Sequence, residues 1–486
     1  MPDVSVPAER RILIVVVAAG LLALASYFVR DAAHGRAFLE RNVYNWPVWY
    51  CGAEAVSEHR DPYRVEPLRA CEHRVRGAVF KQRWAVIPMP LPGYSLVLMW
   101  PLLALPFFAG KTVWIAVVFV ALGISAWSSG RLTGVWFPAV LLILAPTVGV
   151  LNLLYGGLEP IGIAALCAAA LAFERNRPSL GGALTVLALI EPHLGVPAVV
   201  AAFALIPRSR VAIVAGAAIF ALASVALLGW GTVVEYVRAV LPAQSAGEGA
   251  ISTQQYSLTH LVYLAGVSTK VATTLGSIWY LGAIALGTFA AARIRALFGR
   301  ASAVVLVPVA ISLFGGLYVH NHQIAAALPG ALLLATLPLR HRWLAIAAVA
   351  LLAFPWEFST RSQEIVACFA VCASILVLAP GLALPRRLVV SCVLPVLFAV
   401  GWSFVDALPH SRFALAAQPA TIAANDLATT AWTKFLLWTP GRTVDDAATF
   451  LLKIPWWLAL FALALLATLV LLQPARAGDR SAATEA

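Results

Sequence analysis

Long apolar runs alternate with short polar connections over almost the whole chain. Each run approaches the length that a helix needs to cross about 30 Å of hydrocarbon. Apolar segments fall near 11–29, 92–109, 112–128, 133–150, 158–173, 179–206, 211–229, 276–292, 302–319, 322–339, 343–356, 363–379, 389–405 and 455–473. The pattern predicts an all-α polytopic membrane protein with about 12–14 transmembrane helices. Several runs are short or interrupted by proline, and such breaks persist only inside protein or beside a cavity. Three polar stretches are longer: 30–91, 231–275 and 406–454.

Composition agrees with that class. Of 486 residues, 61% are hydrophobic and 12% are charged, against about 25% charged in soluble domains. Sixteen tryptophans suit aromatic belts at the membrane boundaries. The net charge of +12 would suggest nucleic acid in a soluble protein. Here the basic residues cluster in short connections such as "ERNRP", "PRSR", "RIRALFGR" and "LRHR". Cytoplasmic loops rich in Arg and Lys account for that, with anionic membrane lipid as their partner and no nucleic acid.

With the N-terminus inside, held by Arg10 and Arg11, the first helix is expected to be retained and 30–91 to lie outside. The basic loops at 293–300, 340–342 and 386–387 put 231–275 and 406–454 outside as well. Placing "ERNRP" inside breaks the alternation between 92 and 206. Either one segment there is re-entrant, or 179–206 splits at "IEPH" into two passes. Residues 1–474 read as a single polytopic domain and 475–486 as a disordered cytoplasmic tail. Cys51 and Cys71 share the first outer stretch. A disulfide between them would fit an oxidising exterior, although Cys51 could equally pack on a helix.

Candidate chemistry gathers in the polar stretches. "YNWPVWY" suits an interfacial segment and "CGAEAVSEH" an amphipathic helix on the membrane, with Glu54, Glu58, Asp61 and Glu66 as carboxylates for a surface site; a structural cap is the alternative. "NLLYGGLEPIG" carries Asn152, Tyr155 and Glu159 between two apolar runs. "LALIEPHLGVP" carries Glu191 and His193 inside another, where they could satisfy one another around Pro192. Carboxylates at such depth cost about 2.5–3.5 kcal/mol, so they face a cavity or a partner. "STQQYSLTH" offers Gln254, Gln255, Ser257 and His260 for sugar hydroxyls or for helix capping. "LYVHNHQ" places His320 and His322 at the start of an apolar helix. Two His one residue apart do not share a helical face, so no metal site is assigned and no cofactor is expected. A divalent metal has no support in the residues. One imidazolium at a phosphate is the preferred role.

The order of these features resembles GT-C membrane glycosyltransferases, in particular the polyprenyl-phosphate-mannose-dependent α-mannosyltransferases and their bacterial relatives. That family has an acidic-aromatic first-loop motif followed by G-x-P-Y, where this chain reads "NWPVWYCGAEAV" and "HRDPY". Its Pro-rich re-entry resembles "PMPLPGYSLVLMWPLLALP", and its G-Q turn and K-P break correspond to "YGGLEP" and "EPH". Its N-Q-S-L element is similar to "QQYSL", and its late histidine boundary to "HNHQ". The similarity spans roughly residues 40–340, and the family's first-loop acid aligns with Asn45, an amide.

The resemblance implies a hexose, mannose first, moving from a polyprenyl-phosphate sugar to a lipid or glycan acceptor, with inversion. The expected location is the outer face of the plasma (inner) membrane. The catalytic candidates are Glu54, Asp61 and Asn45, with Glu54 or Asp61 as general base. The substrate-binding candidates are Tyr63, Arg64, Glu159, His193, Gln255, His320 and His322. A transporter or lipid flippase, with Glu159 and Glu191 in broken helices, and a non-catalytic relative are the alternatives. Convergence of the polar outer stretches on one cavity would favour the transferase.

Overall fold

A computed structural model describes residues 8–35, 38–39, 43–76, 86–356, 361–408, 422–438 and 446–473. The tail from 475, and parts of the first and third polar stretches, lie outside the described residues. The described residues are almost wholly helical, with two isolated β-bridges and no longer strand among them.

Helix α1 (Ala8–Ala32) is apolar all round. Its Val15, Leu22 and Val29 stay exposed in the protein, as expected of a helix at the lipid boundary. Next, α2 (Trp46–Ser57) and α3 (Val65–Arg76) are joined by a Cys51–Cys71 disulfide. Nine residues of α2 are buried, Trp46 and Trp49 among them. It is therefore packed into the protein. The reason is aromatic anchoring: the Trp46 indole donates to the Phe107 carbonyl and that of Trp49 to the Gly156 carbonyl.

The apolar run at 92–109 makes no membrane helix. Its prolines, which fix φ and remove backbone donors, leave only short turns at Gly93–Leu96 and Trp100–Ala104. The crossing is made by α4 (Phe107–Thr133), followed by α5 (Phe137–Tyr155) and α6 (Glu159–Glu174). The "IEPH" break separates α7 (Pro178–Ile190) from α8 (Pro192–Leu205), with Glu191 extended between them. The chain reverses there. A Cβ on Gly182, early in α7, would lie 2.9 Å from the Ser209 carbonyl oxygen just beyond α8. Removing one pass at 92–109 and splitting 179–206 into two restores the alternation.

The remaining helices are α9 (Arg210–Glu235), α10 (Thr269–Phe298), α11 (Ala303–Ser312), α12 (Ala327–Thr336), α13 (Trp343–Leu352), α14 (Arg361–Leu378), α15 (Leu384–Asp406), α16 (Ala428–Trp438) and α17 (Ala447–Leu472). Among the described residues, eight helices are long and apolar enough to cross a membrane, and four shorter apolar ones accompany them. The centre is α11, all of whose residues are buried. Small residues let its neighbours approach closely: a Cβ on Gly287 of α10 would meet Pro308 at 2.6 Å, and one on Gly330 of α12 the Leu306 carbonyl oxygen at 2.6 Å.

The two ends of the bundle differ in chemistry. At one, Arg300 engages Glu174 and the Leu132 carbonyl, Arg387 lies 2.6 Å from Glu9, and Arg293 donates to the Gln473 carbonyl at 2.7 Å. These contacts gather the starts of α1 and α15 and the ends of α4, α6, α10 and α17. The opposite end is assembled from the three polar stretches. Arg64 donates to both oxygens of Glu235 and, at 3.0 Å, to the Asn425 carbonyl. The Val65 and Ala428 amides pair with the Asp426 and Tyr63 carbonyls.

Candidate active site

At that end, the first stretch is fastened to α5 by its backbone. The amides of Val43, Tyr44 and Asn45 donate to the carbonyls of Leu153, Leu154 and Tyr155 at 2.7–2.9 Å. Those are last-turn carbonyls that the helix itself leaves unpaired. Gly156 then turns the chain at φ +70, close against Val43. Its carbonyl accepts the indole N–H groups of Trp49 and Trp114 at 3.0 and 3.2 Å. This turn is the "YGGLEP" element, and it delivers Glu159 to the first residue of α6. A carboxylate is favoured there by the orphan N–H groups of a helix start.

Glu159 faces a cavity of about 170 Å³. Asn45, Trp49 and Tyr155 line one side of it; Glu191, Gln244, Glu248 and Gln254 line another; Tyr318, His320, His322, Gln323 and Trp432 close it. All three polar stretches therefore contribute. Three segments are π-helical, Ala145–Leu151, Tyr236–Val240 and Ser245–Ile251, and the last contributes to the cavity wall. Such segments are rare and frequent at functional sites. The last of them carries Glu248, flanked by two glycines.

The acids and imidazoles are paired. His322 Nε2 lies 3.0 Å from Glu159 Oε1, His320 Nε2 lies 3.2 Å from Glu248 Oε2, and His193 Nδ1 lies 3.0 Å from Glu191 Oε1. The Trp432 indole N–H donates to Glu248, and the Gln323 amide donates to Glu191 at 3.0 Å. His320 sits in extended backbone ahead of the short helix Asn321–Ile324. With His320 ahead of the helix and His322 in its first turn, the two rings stack at 5.3 Å. The expectation that they diverge assumed a helix running through both.

Proton positions around His322 follow from its neighbours. The His322 amide donates to Asn321 Oδ1 at 2.7 Å, and Asn321 Nδ2 donates to the Tyr155 hydroxyl at 2.8 Å. The Asn321 oxygen is thereby identified, and it faces His322 Nδ1 at 3.1 Å. Nδ1 therefore carries a proton, and Nε2 and Glu159 Oε1 share one more between them. Glu159 Oε2 has no hydrogen-bond partner among the described residues, and a Cβ on Gly157 would lie 1.8 Å from it.

Burial disfavours the imidazolium of His320. The hydrogen bond and charge of Glu248, with the charges of Glu159 and Glu191, outweigh that and raise its pKa above the ordinary 6.5. A raised folded-state value gives stability that is fully present below about pH 6.5 and lost as pH climbs through the raised value. Thermal unfolding of His320→Gln should therefore fall furthest below wild type at acidic pH, with the gap shrinking as pH rises. A gap constant from about pH 5 to 9 would exclude a charged His320.

The other sequence candidates are placed as follows. Asn45 lines the cavity and precedes α2. Glu54 pairs with Arg74 across the α2–α3 hairpin. Asp61 accepts from Arg64 and from the Tyr63 amide. Neither Glu54 nor Asp61 lines the cavity. The Tyr63 hydroxyl donates to the Leu91 carbonyl, Arg64 is held by Glu235 and Asp61, and Gln255 accepts from the Val319 amide at 2.7 Å. These three join segments at this end of the bundle. His193 stands behind Glu191 and against Tyr318. Glu248, Gln244 and Trp432 were not among the candidates; the one sequence signal was an isolated acid between glycines in "SAGEGAI". Among the described residues, no group of three or more His, Cys, Asp or Glu is arranged to hold a metal ion.

Residues 92–320 match the family model "Glycosyltransferase family 87". No curated protein and no solved structure matches the chain.

Proposed function

From the likeness of residues 92–320 to glycosyltransferase family 87, a GT-C-type membrane family, we propose that this polytopic protein moves a hexose, mannose first, from a polyprenyl-phosphate sugar. The acceptor is a lipid or glycan hydroxyl. The observation that carries this reading is the convergence of three chain-remote polar stretches on one acid- and imidazole-lined cavity at one end of the bundle. A carrier holds its polar binding groups near the bilayer midplane, between repeated halves. Here they are gathered at a single end.

In the mechanism, the acceptor oxygen attacks the anomeric carbon opposite the phosphate. The bond from that carbon to the phosphate oxygen breaks, and the lipid phosphate departs with the electron pair, inverting the centre. Glu159 takes the acceptor proton as general base, backed by His322, which shares its other oxygen. As an imidazolium, the form that Glu248 favours, His320 offsets the charge growing on the departing phosphate. Asn45 and Gln254 are placed to bind hydroxyl groups. The base thus moves from Glu54 or Asp61 to a carboxylate that reaches the cavity.

The site is assigned to the outer face of the plasma membrane. The Cys51–Cys71 disulfide supports an oxidising compartment on the cavity side, and the arginine-rich end supports a cytoplasmic face opposite. The test is transfer by purified protein in proteoliposomes, with radiolabelled polyprenyl-phosphate mannose, other polyprenyl-phosphate sugars and a membrane lipid extract, with and without divalent metal. A labelled product of inverted configuration is expected. No product from any donor with folded protein would leave a non-catalytic relative.

A further inference from the structure

At the arginine-rich end, Arg10 in the first turn of α1, Arg342 before α13 and Arg387 in the first turn of α15 line one open groove of about 600 Å³. We propose that this groove binds the phosphate headgroup of an anionic phospholipid from the adjoining leaflet. The proposal is independent of the transfer reading, because it concerns the opposite end of the bundle.

Three guanidinium groups and one carboxylate, Glu9, line the groove, so positive charge is in excess. Arg387 is the key member. Its side chain is only 5% exposed, one nitrogen is 2.6 Å from Glu9, and its Nε is buried without a partner among the described residues. A buried donor left unpaired is costly, and a phosphate oxygen satisfies a guanidinium fork with good geometry. A free phosphate would satisfy the same donors. The remaining walls favour a lipid: Leu13 and Trp136 line the groove, and Trp136 is 47% exposed. That is the amphipathic ring expected at headgroup level, beside which acyl chains can lie.

The experiment uses the full chain in nonionic detergent. Native mass spectrometry and thermal unfolding would follow addition of dioleoylphosphatidylglycerol, dioleoylphosphatidylcholine or inorganic phosphate. Phosphatidylglycerol should bind at least about tenfold more tightly than phosphatidylcholine, and phosphate alone should give no shift. Arg10→Gln/Arg342→Gln should lose at least about tenfold in phosphatidylglycerol affinity. Arg177→Gln/Arg208→Gln, exposed basic residues outside the groove, should lose none. Arg387 is left intact because its contact with Glu9 ties α15 to α1. Equal binding of the two lipids would overturn the proposal, as would equal losses in the two double variants. Protection by phosphate alone would replace the lipid with a soluble ligand.

Discussion

Glu159→Gln should lower sugar transfer by about a hundredfold to ten-thousandfold, the range set by loss of a general base. Glutamine matches glutamate in size and can keep a contact to His322, so the fold should persist, with a Tm close to wild type. What it cannot do is accept the acceptor's proton. A loss confined to positioning would be smaller and would weaken donor binding along with turnover, whereas loss of the base lowers kcat and kcat/KM together. Glu54→Gln and Asp61→Asn, held by Arg74 and Arg64 away from the cavity, should keep near-normal rates. If Glu159→Gln retains more than a tenth of wild-type activity while Glu248→Gln abolishes it, the base is Glu248.

Gly156→Ala should destabilise the protein by about 2–4 kcal/mol, through left-handed backbone and steric overlap together. At φ +70 the added methyl group would lie 2.2 Å from Val43 Cγ1 and 2.7 Å from Val43 Cα. The second contact is to backbone, so no rotamer change relieves it. Residues 43–45 would have to move off the end of α5, breaking the three amide contacts that hold them. The expected result is a lower Tm in detergent and faster proteolysis within 43–76. Gly134→Ala is the control. Its φ of +73 is similar but no atom lies within 4 Å of its would-be Cβ, so it should cost only the backbone share, about 1–2 kcal/mol. Equal losses at the two glycines would show that the Val43 contact carries no weight.

Hydrophobic periodicity exposed most of the membrane helices, because an all-round apolar helix of sufficient length has few other uses. It failed at 92–109, where apolar composition concealed a proline spacing that no helix tolerates. At "IEPH" the proline marks a candidate break, but the residues leave open whether 179–206 splits there or a segment between 92 and 206 is re-entrant. Settling that choice needed the approach of Gly182 to Ser209, which is tertiary information. The cavity was legible in part. Glu159, His320 and His322 stand out as polar residues at the edges of apolar runs, and burial pairs them. Glu54 and Asp61 drew attention by nearness in sequence to Asn45, yet α2 turns its acid toward Arg74 and away from the cavity. Glu248 and Trp432 come together from 184 positions apart, a separation that no local pattern encodes.

The arms of the α7–α8 hairpin have a consequence for depth. At 1.5 Å per residue, α7 rises about 20 Å, short of the roughly 30 Å of hydrocarbon. With α7 starting at the arginine-rich boundary and running along the membrane normal, its tip would stop about 10 Å short of the opposite surface. Glu191 sits at that tip and forms part of the cavity wall. On that placement the cavity would open below headgroup level. A lipid carrier could present its polar end there from the side without lifting its chain out of the membrane, while a water-soluble partner would have to reach down from above.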